Sequence, residues 1–183
     1  MSEPAANPAA AAAAAATVDP AATSFPTATI SLPLGLDVFR TYSGVLICIE
    51  IVFGGLVWIL VASSNVPVPL LQGWVMFVSL TAFFLSSAYL ALLVTGLAER
   101  INTDWNFLDL FYHFIALLFY FAAFVLEAAT TAATVGAHGG TPQVVTLLTS
   151  KQYRINVAAT IFAFVVTLSY GCSMVMGFKR WMK

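Results

Sequence analysis

Four long apolar stretches organise this chain, and polar residues interrupt them at few positions. Residues 42–63 carry one charge, Glu50. Residues 73–96 carry none, residues 107–131 carry Asp109, His113 and Glu127, and residues 155–178 carry none. A helix that crosses a bilayer needs about 20 apolar residues, so each stretch predicts one transmembrane helix. The connections between them are short: Ser64 to Gln72 with Pro67 and Pro69, Leu97 to Asn106, and Ala132 to Arg154 with glycines and Pro142 near its middle. None has room for a folded domain. The expected fold is an all-α membrane protein, a four-helix transmembrane bundle over residues 42–178.

Residues 1–41 read differently. They hold five of the eight prolines around a run of alanines, Ala9 to Ala16. An isolated helix of that length is below the roughly 12–15 residues needed for marginal stability in water. The pattern predicts a disordered Ala/Pro-rich tail over 1–41. It lacks the basic start and Leu-rich core of a secretory signal, and Ser2 stands where myristoylation needs glycine. Residues 179–183 predict a short basic tail.

Polar spacing within the third stretch is regular. Asp109, His113, Ala116, Tyr120, Ala123 and Glu127 follow at intervals of 4, 3, 4, 3 and 4, which keeps them on one helical stripe. The fourth stretch has a weaker stripe of Asn156, Thr160, Ala163, Thr167 and Tyr170, the second places Ser79, Ala82 and Ser86 on one face, and Glu50 lies one turn before Gly54. Ionisable groups inside a bilayer are costly. A seam of this kind is either a proton or ion path or polar glue that fixes helix register. The glue reading is favoured, because only two alanines and Tyr120 lie between His113 and Glu127, and a path needs exchangeable groups or a wet lumen throughout. The predicted intramembrane polar network is Glu50, Asp109, His113, Glu127 and Asn156. Glu50 and His113 lie at matching depths, roughly 10 Å and 9 Å from the same edge, which predicts a buried contact with Asp109 on the second ring nitrogen. Glu127 is expected near the outer edge, facing Arg154 or Lys151.

Composition sharpens the class. Hydrophobic residues make up 61% of the 183 and charged residues 8%, against roughly 25% charged in soluble domains. That excludes an ordinary soluble globule, a disordered chain and a nucleic-acid binder with a basic patch. Arg40, Arg100, Lys179, Arg180 and Lys183 lie on one side of the predicted bundle and Lys151 and Arg154 on the other. The excess marks the side of the termini as cytoplasmic. Cys48 and Cys172 are too few for a disulfide framework, and Cys172 sits where S-palmitoylation would be feasible. Nucleotide-loop, nucleophile-elbow and zinc-helix motifs are missing from the sequence. So is any N-x-[ST] sequon in the two outer loops. No enzyme activity, cofactor or metal is expected.

Two contiguous stretches are specific. Phe53-Gly54-Gly55-Leu56-Val57-Trp58-Ile59-Leu60-Val61-Ala62-Ser63-Ser64 and Gln72-Gly73-Trp74-Val75-Met76-Phe77-Val78-Ser79 resemble signature segments of the MAL proteolipids, tetraspan proteins of the MARVEL-domain class. The resemblance extends through Asn106-Phe107-Leu108-Asp109, Tyr112-His113, Leu126-Glu127-Ala128, Asn156-Val157-Ala158-Ala159 and Arg180-Trp181, and covers roughly residues 30–182. It implies a MARVEL-type bundle in raft-like apical membrane and in endosomal or transport vesicles, serving apical transport and basolateral-to-apical transcytosis. A structural proteolipid of stacked, myelin-like membrane is the alternative within the family, and a small channel or proton-coupled transporter the alternative outside it. The implied partners are cholesterol and sphingolipids, other membrane proteins or cytoplasmic trafficking adaptors, and further copies of the chain.

Overall fold

Each helix begins where a side chain accepts free N–H groups or where a proline has none to satisfy. In the computed structural model, which describes residues 34–138 and 148–183, α1 spans Tyr42–Ser63, α2 Pro69–Val94, α3 Trp105–His138 and α4 Ser150–Trp181. Thr41 Oγ1 accepts the Gly44 N–H at the start of α1. Pro69, with no N–H to satisfy, opens α2. Asp104 Oδ1 accepts the N–H groups of Asn106 and Phe107 at 3.1 Å and starts α3. Thr149 and Gln152 cap α4 reciprocally.

α1 matches its predicted span, α2 starts four residues earlier and ends two residues earlier than predicted, and α3 and α4 exceed their predicted spans. Proline lets α2 start at residue 69. The capping box adds a polar first turn, Ser150 to Arg154, to α4, and α3 continues through Gly136, which the sequence places in a loop. The centre of that loop, 139–147, lies outside the described residues. All four helices are long and apolar enough to cross a membrane. α3 and α4, with 34 and 32 residues, would measure about 50 Å each.

Two corrections concern the tails. The boundary at residue 41 is wrong, because Gly35–Arg40 forms a 3-10 helix whose Val38 is fully buried beside Ile47, Leu93, Ala98 and Trp105. Only Val38 of its three apolar side chains is buried, with Leu36 and Phe39 exposed, so a segment this short leaves no periodic signal and composition alone misassigned it. Residues 1–33 of the predicted tail lie outside the described residues. At the other end, 179–181 are the last turn of α4, and Arg180 turns inward rather than joining a solvated tail.

The helices run alternately up and down. α1 packs on α2 and α4, and α3 on α2 and α4, so α1 and α3 stand diagonally across the bundle, as do α2 and α4. α3 and α4 make the most extensive interface. Gly177 permits it: a Cβ there would lie 2.9 Å from Asp109 Oδ2 and 3.3 Å from the Leu110 Cα. The core is Val57, Val61, Val75, Val78, Ala123, Ala163 and Val166 with Tyr120 and Tyr170. Away from the helix ends, the exposed residues are aliphatic, aromatic, alanine or glycine, except Thr81 and Cys172. Val52, Phe84, Phe121 and Ile161, one from each helix, lie on this outer surface.

Candidate functional site

All six residues of the α3 seam are buried, and polar groups from the other helices meet them in two clusters. The first lies toward the end that carries the termini. Asp109 accepts from Tyr89 Oη of α2 at 2.8 Å and from the Arg180 guanidinium of α4. Arg180 also donates to Ser43 Oγ of α1. His113 Nδ1 lies 2.7 Å from the Asp109 carbonyl oxygen and 3.3 Å from its Oδ1. His113 Nε2 lies 3.6 Å from Glu50 Oε2, and Glu50 Oε1 accepts from Ser173 Oγ at 2.6 Å. All four helices are thereby tied at one level.

The partners fix the protons. The Asp109 carbonyl can only accept, so His113 Nδ1 carries hydrogen. Nε2 and Glu50 Oε2 face each other slightly beyond hydrogen-bond range, and neither has another partner in the structure. One proton on that pair, as imidazolium with carboxylate or as imidazole with carboxylic acid, balances the cluster: Arg180 offsets Asp109, and the proton offsets the second carboxylate. Without it a net charge would remain in the bilayer, at a cost of several kcal/mol.

A hydroxyl triangle lies one to two turns deeper. Ser86 Oγ is 2.7 Å from Tyr112 Oη and 2.9 Å from Tyr170 Oη, joining α2 to α3 and α4. Tyr120 Oη, buried without a hydrogen-bond partner, points at Gly54 across the diagonal.

The second cluster lies at the opposite end. Gln72 Nε2 donates to Glu127 Oε1 at 3.1 Å and lies 3.3 Å from Oε2, while Gln72 Oε1 accepts the Val68 N–H at 3.3 Å. Gln152 Nε2 donates to the Ser64 carbonyl at 2.8 Å. The two glutamines hold the α1–α2 turn onto α3 and α4. That turn contains Asn65 and Val66 at φ of 60° and 46°, a strained conformation for a β-branched residue. Asn156 is fully buried, with neither amide atom bonded.

The structure therefore places Glu50, Asp109 and His113 together, Glu127 two turns beyond Tyr120 in the second cluster, and Asn156 apart on α4. The predicted pairing of Glu127 with Arg154 or Lys151 is not formed. Asn156 marks the buried face of α4, which turns Lys151 and Arg154 outward, and Glu127 points inward to Gln72. Sequence reasoning missed Arg180, Ser173, Tyr89 and Gln72. Arg180 lies seven residues after Ser173, so the two share a face, and that spacing was the available signal. Cys172 is exposed on the outer face of α4 and Cys48 is half-buried.

The two clusters are separated along every helix. Val57 and Val61 follow Glu50 on α1, and Val75 and Val78 lie between Gln72 and Ser86 on α2. Ala123 lies between Tyr120 and Glu127, and Ala159, Ala163 and Val166 between Asn156 and Tyr170. Ser79, Thr160 and Thr167 in this layer donate to carbonyls of their own helices, and Thr160 Oγ1 also lies 3.3 Å from Thr131 Oγ1. Among the described residues no polar chain crosses it. The polar contacts of the described residues tie helix to helix.

Comparison with known proteins gives the family. The model of the MARVEL family, a membrane-associating domain, matches residues 38–176. Myelin and lymphocyte protein of Canis lupus familiaris is 47% identical over 151 residues, covering 82% of this chain and 92% of that protein, and its Homo sapiens counterpart is 44% identical over the same share. MARVEL domain-containing protein 1 of Xenopus laevis is 33% identical over 143 residues, 78% of this chain and 77% of that protein. No solved structure matches the chain significantly. With four membrane-crossing helices and these relatives, the chain belongs to the MARVEL-domain family as a multi-pass membrane protein of the MAL proteolipid type.

Proposed function

We propose that this chain is a non-enzymatic trafficking factor that organises sterol- and sphingolipid-rich membrane for apical transport and basolateral-to-apical transcytosis. Its place is the apical membrane and its transport vesicles, with both termini in the cytoplasm as the Lys/Arg excess predicts. The observation that carries the reading is the division between interior and exterior. Most polar side chains of the spans face inward and tie helix to helix, while away from the helix ends the outer surface is apolar apart from Thr81 and Cys172. What such a molecule offers a partner is mainly its lipid-facing surface. Spans of 22 to 32 residues suit a thick, sterol-rich bilayer.

Two of these relatives carry myelin in their name, which supports a second reading, a structural proteolipid of stacked membrane. Depletion in a polarised epithelial monolayer separates the two. On the trafficking reading, basolaterally labelled apical cargo accumulates inside the cell and re-expression restores its delivery. Unchanged cargo kinetics with altered membrane apposition would favour the stacking reading.

A further inference from the structure

Three cations gather at the end of α4, Lys179 and Arg180 in its last turn and Lys183 just beyond it. Met176, Lys179, Arg180 and Lys183 line a shallow cleft of about 260 Å³. Arg180 is anchored at its floor by Asp109 and Ser43. Lys179 and Lys183 are exposed, and among the described residues neither is ion-paired with a carboxylate. Arg40, at the same end, is matched by Asp37 at 3.8 Å. Among the described residues the cleft therefore holds two cations without an ion-pair partner. Exposed Phe178 and Trp181, in ring contact at 6.3 Å, set its depth, because aromatic residues of this kind sit at the level of lipid headgroups. Below it α4 turns apolar Val175 and Leu168 outward. Cations at headgroup depth above an apolar wall match an amphiphile with an anionic head.

We propose that this cleft binds a phospholipid of net negative headgroup charge in the leaflet on the side of the termini. Lys179 and Lys183 meet the phosphate and carboxylate of the headgroup, and the acyl chains run along the apolar face below. A zwitterionic choline headgroup fits worse, because its cation would lie against two lysines. If the termini are cytoplasmic, this is the leaflet in which anionic lipids are concentrated. The bland account is that these cations only complement the carboxyl end of α4 and feel the membrane as a smeared charge. The two accounts differ in whether position matters.

The test uses the full chain in nanodiscs holding equal amounts of dioleoyl phosphatidylserine and dioleoyl phosphatidylcholine, with retained lipid read by native mass spectrometry. Both leaflets have the same composition there, so the outcome does not depend on orientation in the cell or on the trafficking reading. The wild type retains the serine lipid preferentially. K179Q/K183Q lowers its retention roughly thirtyfold, from about 1 kcal/mol per basic residue. R40Q/R100Q, which removes the same charge from the same end, leaves it within about twofold. Near-molar salt, where the screening length falls to about 3 Å, weakens retention by the unmodified chain and needs no variant. Equal retention of both lipids by the wild type, equal losses in the two double variants, or retention indifferent to salt would each overturn the proposal.

Discussion

Glu50 of α1 and His113 of α3 face each other across the bundle diagonal, with Oε2 and Nε2 3.6 Å apart and both residues 1% exposed. Each is held on its other side, Glu50 by Ser173 and His113 by the Asp109 carbonyl. Removing one member strands the other in a bilayer, at about 3–5 kcal/mol. E50A and H113A should each destabilise the detergent-solubilised protein by that order in denaturant unfolding. E50Q/H113Q leaves the Arg180–Asp109 pair balanced and should lose less than the sum of E50Q and H113Q by at least about 0.5 kcal/mol. Strict additivity would show that the pair is not coupled.

Gly54 and Tyr120 form the second diagonal contact. A Cβ at Gly54 would lie 2.8 Å from Tyr120 Oη, an atom with no hydrogen-bond partner in the structure. G54A should cost about 1–3 kcal/mol by overpacking. Y120F removes both the clash and a buried unsatisfied hydroxyl, so alone it should be neutral or stabilising. In the G54A background it should recover most of the loss. A thermal melt of the four proteins decides it, and a G54A loss unchanged by Y120F would place the strain elsewhere.

Gln72 links Glu127 to the α1–α2 turn through Val68. Q72A should cost about 1–3 kcal/mol, because it leaves a buried carboxyl without its donor. E127Q keeps an acceptor for Gln72 and removes the buried acid, so it should stay within about 1 kcal/mol of the wild type. Hydrogen exchange at the turn should rise in Q72A and not in E127Q. Comparable exchange in both would mean that the glutamine does not hold the turn.

Much of this architecture is legible in the sequence for a physical reason. A bilayer leaves spans few polar residues, so those that remain stand out, and the 4-3-4-3-4 spacing on α3 places them on one buried seam. Glu50 and His113 can be matched because helical rise converts residue number into depth. Arg180 and Gln72 are less legible. Both stand at helix ends, where a polar side chain ordinarily meets water or headgroups, and only the close α3–α4 approach at Gly177 and the position of the α1–α2 turn bring them inside. Glu127 shows the same limit in reverse: its depth is readable, but its partner depends on which faces of α2 and α4 turn inward. Val38 is buried through tertiary packing of a short 3-10 segment, which has no periodicity to read.

On the proposed function, the outer surface of the bundle is matched to ordered, sterol-rich membrane. The direct measurement is partitioning of fluorescently tagged full-length protein in giant vesicles with coexisting ordered and disordered phases, made from sphingomyelin, cholesterol and an unsaturated phosphatidylcholine. The protein should enrich in the ordered phase, and this enrichment should disappear when cholesterol is extracted. Preference for the disordered phase, or a distribution indifferent to cholesterol, would contradict it.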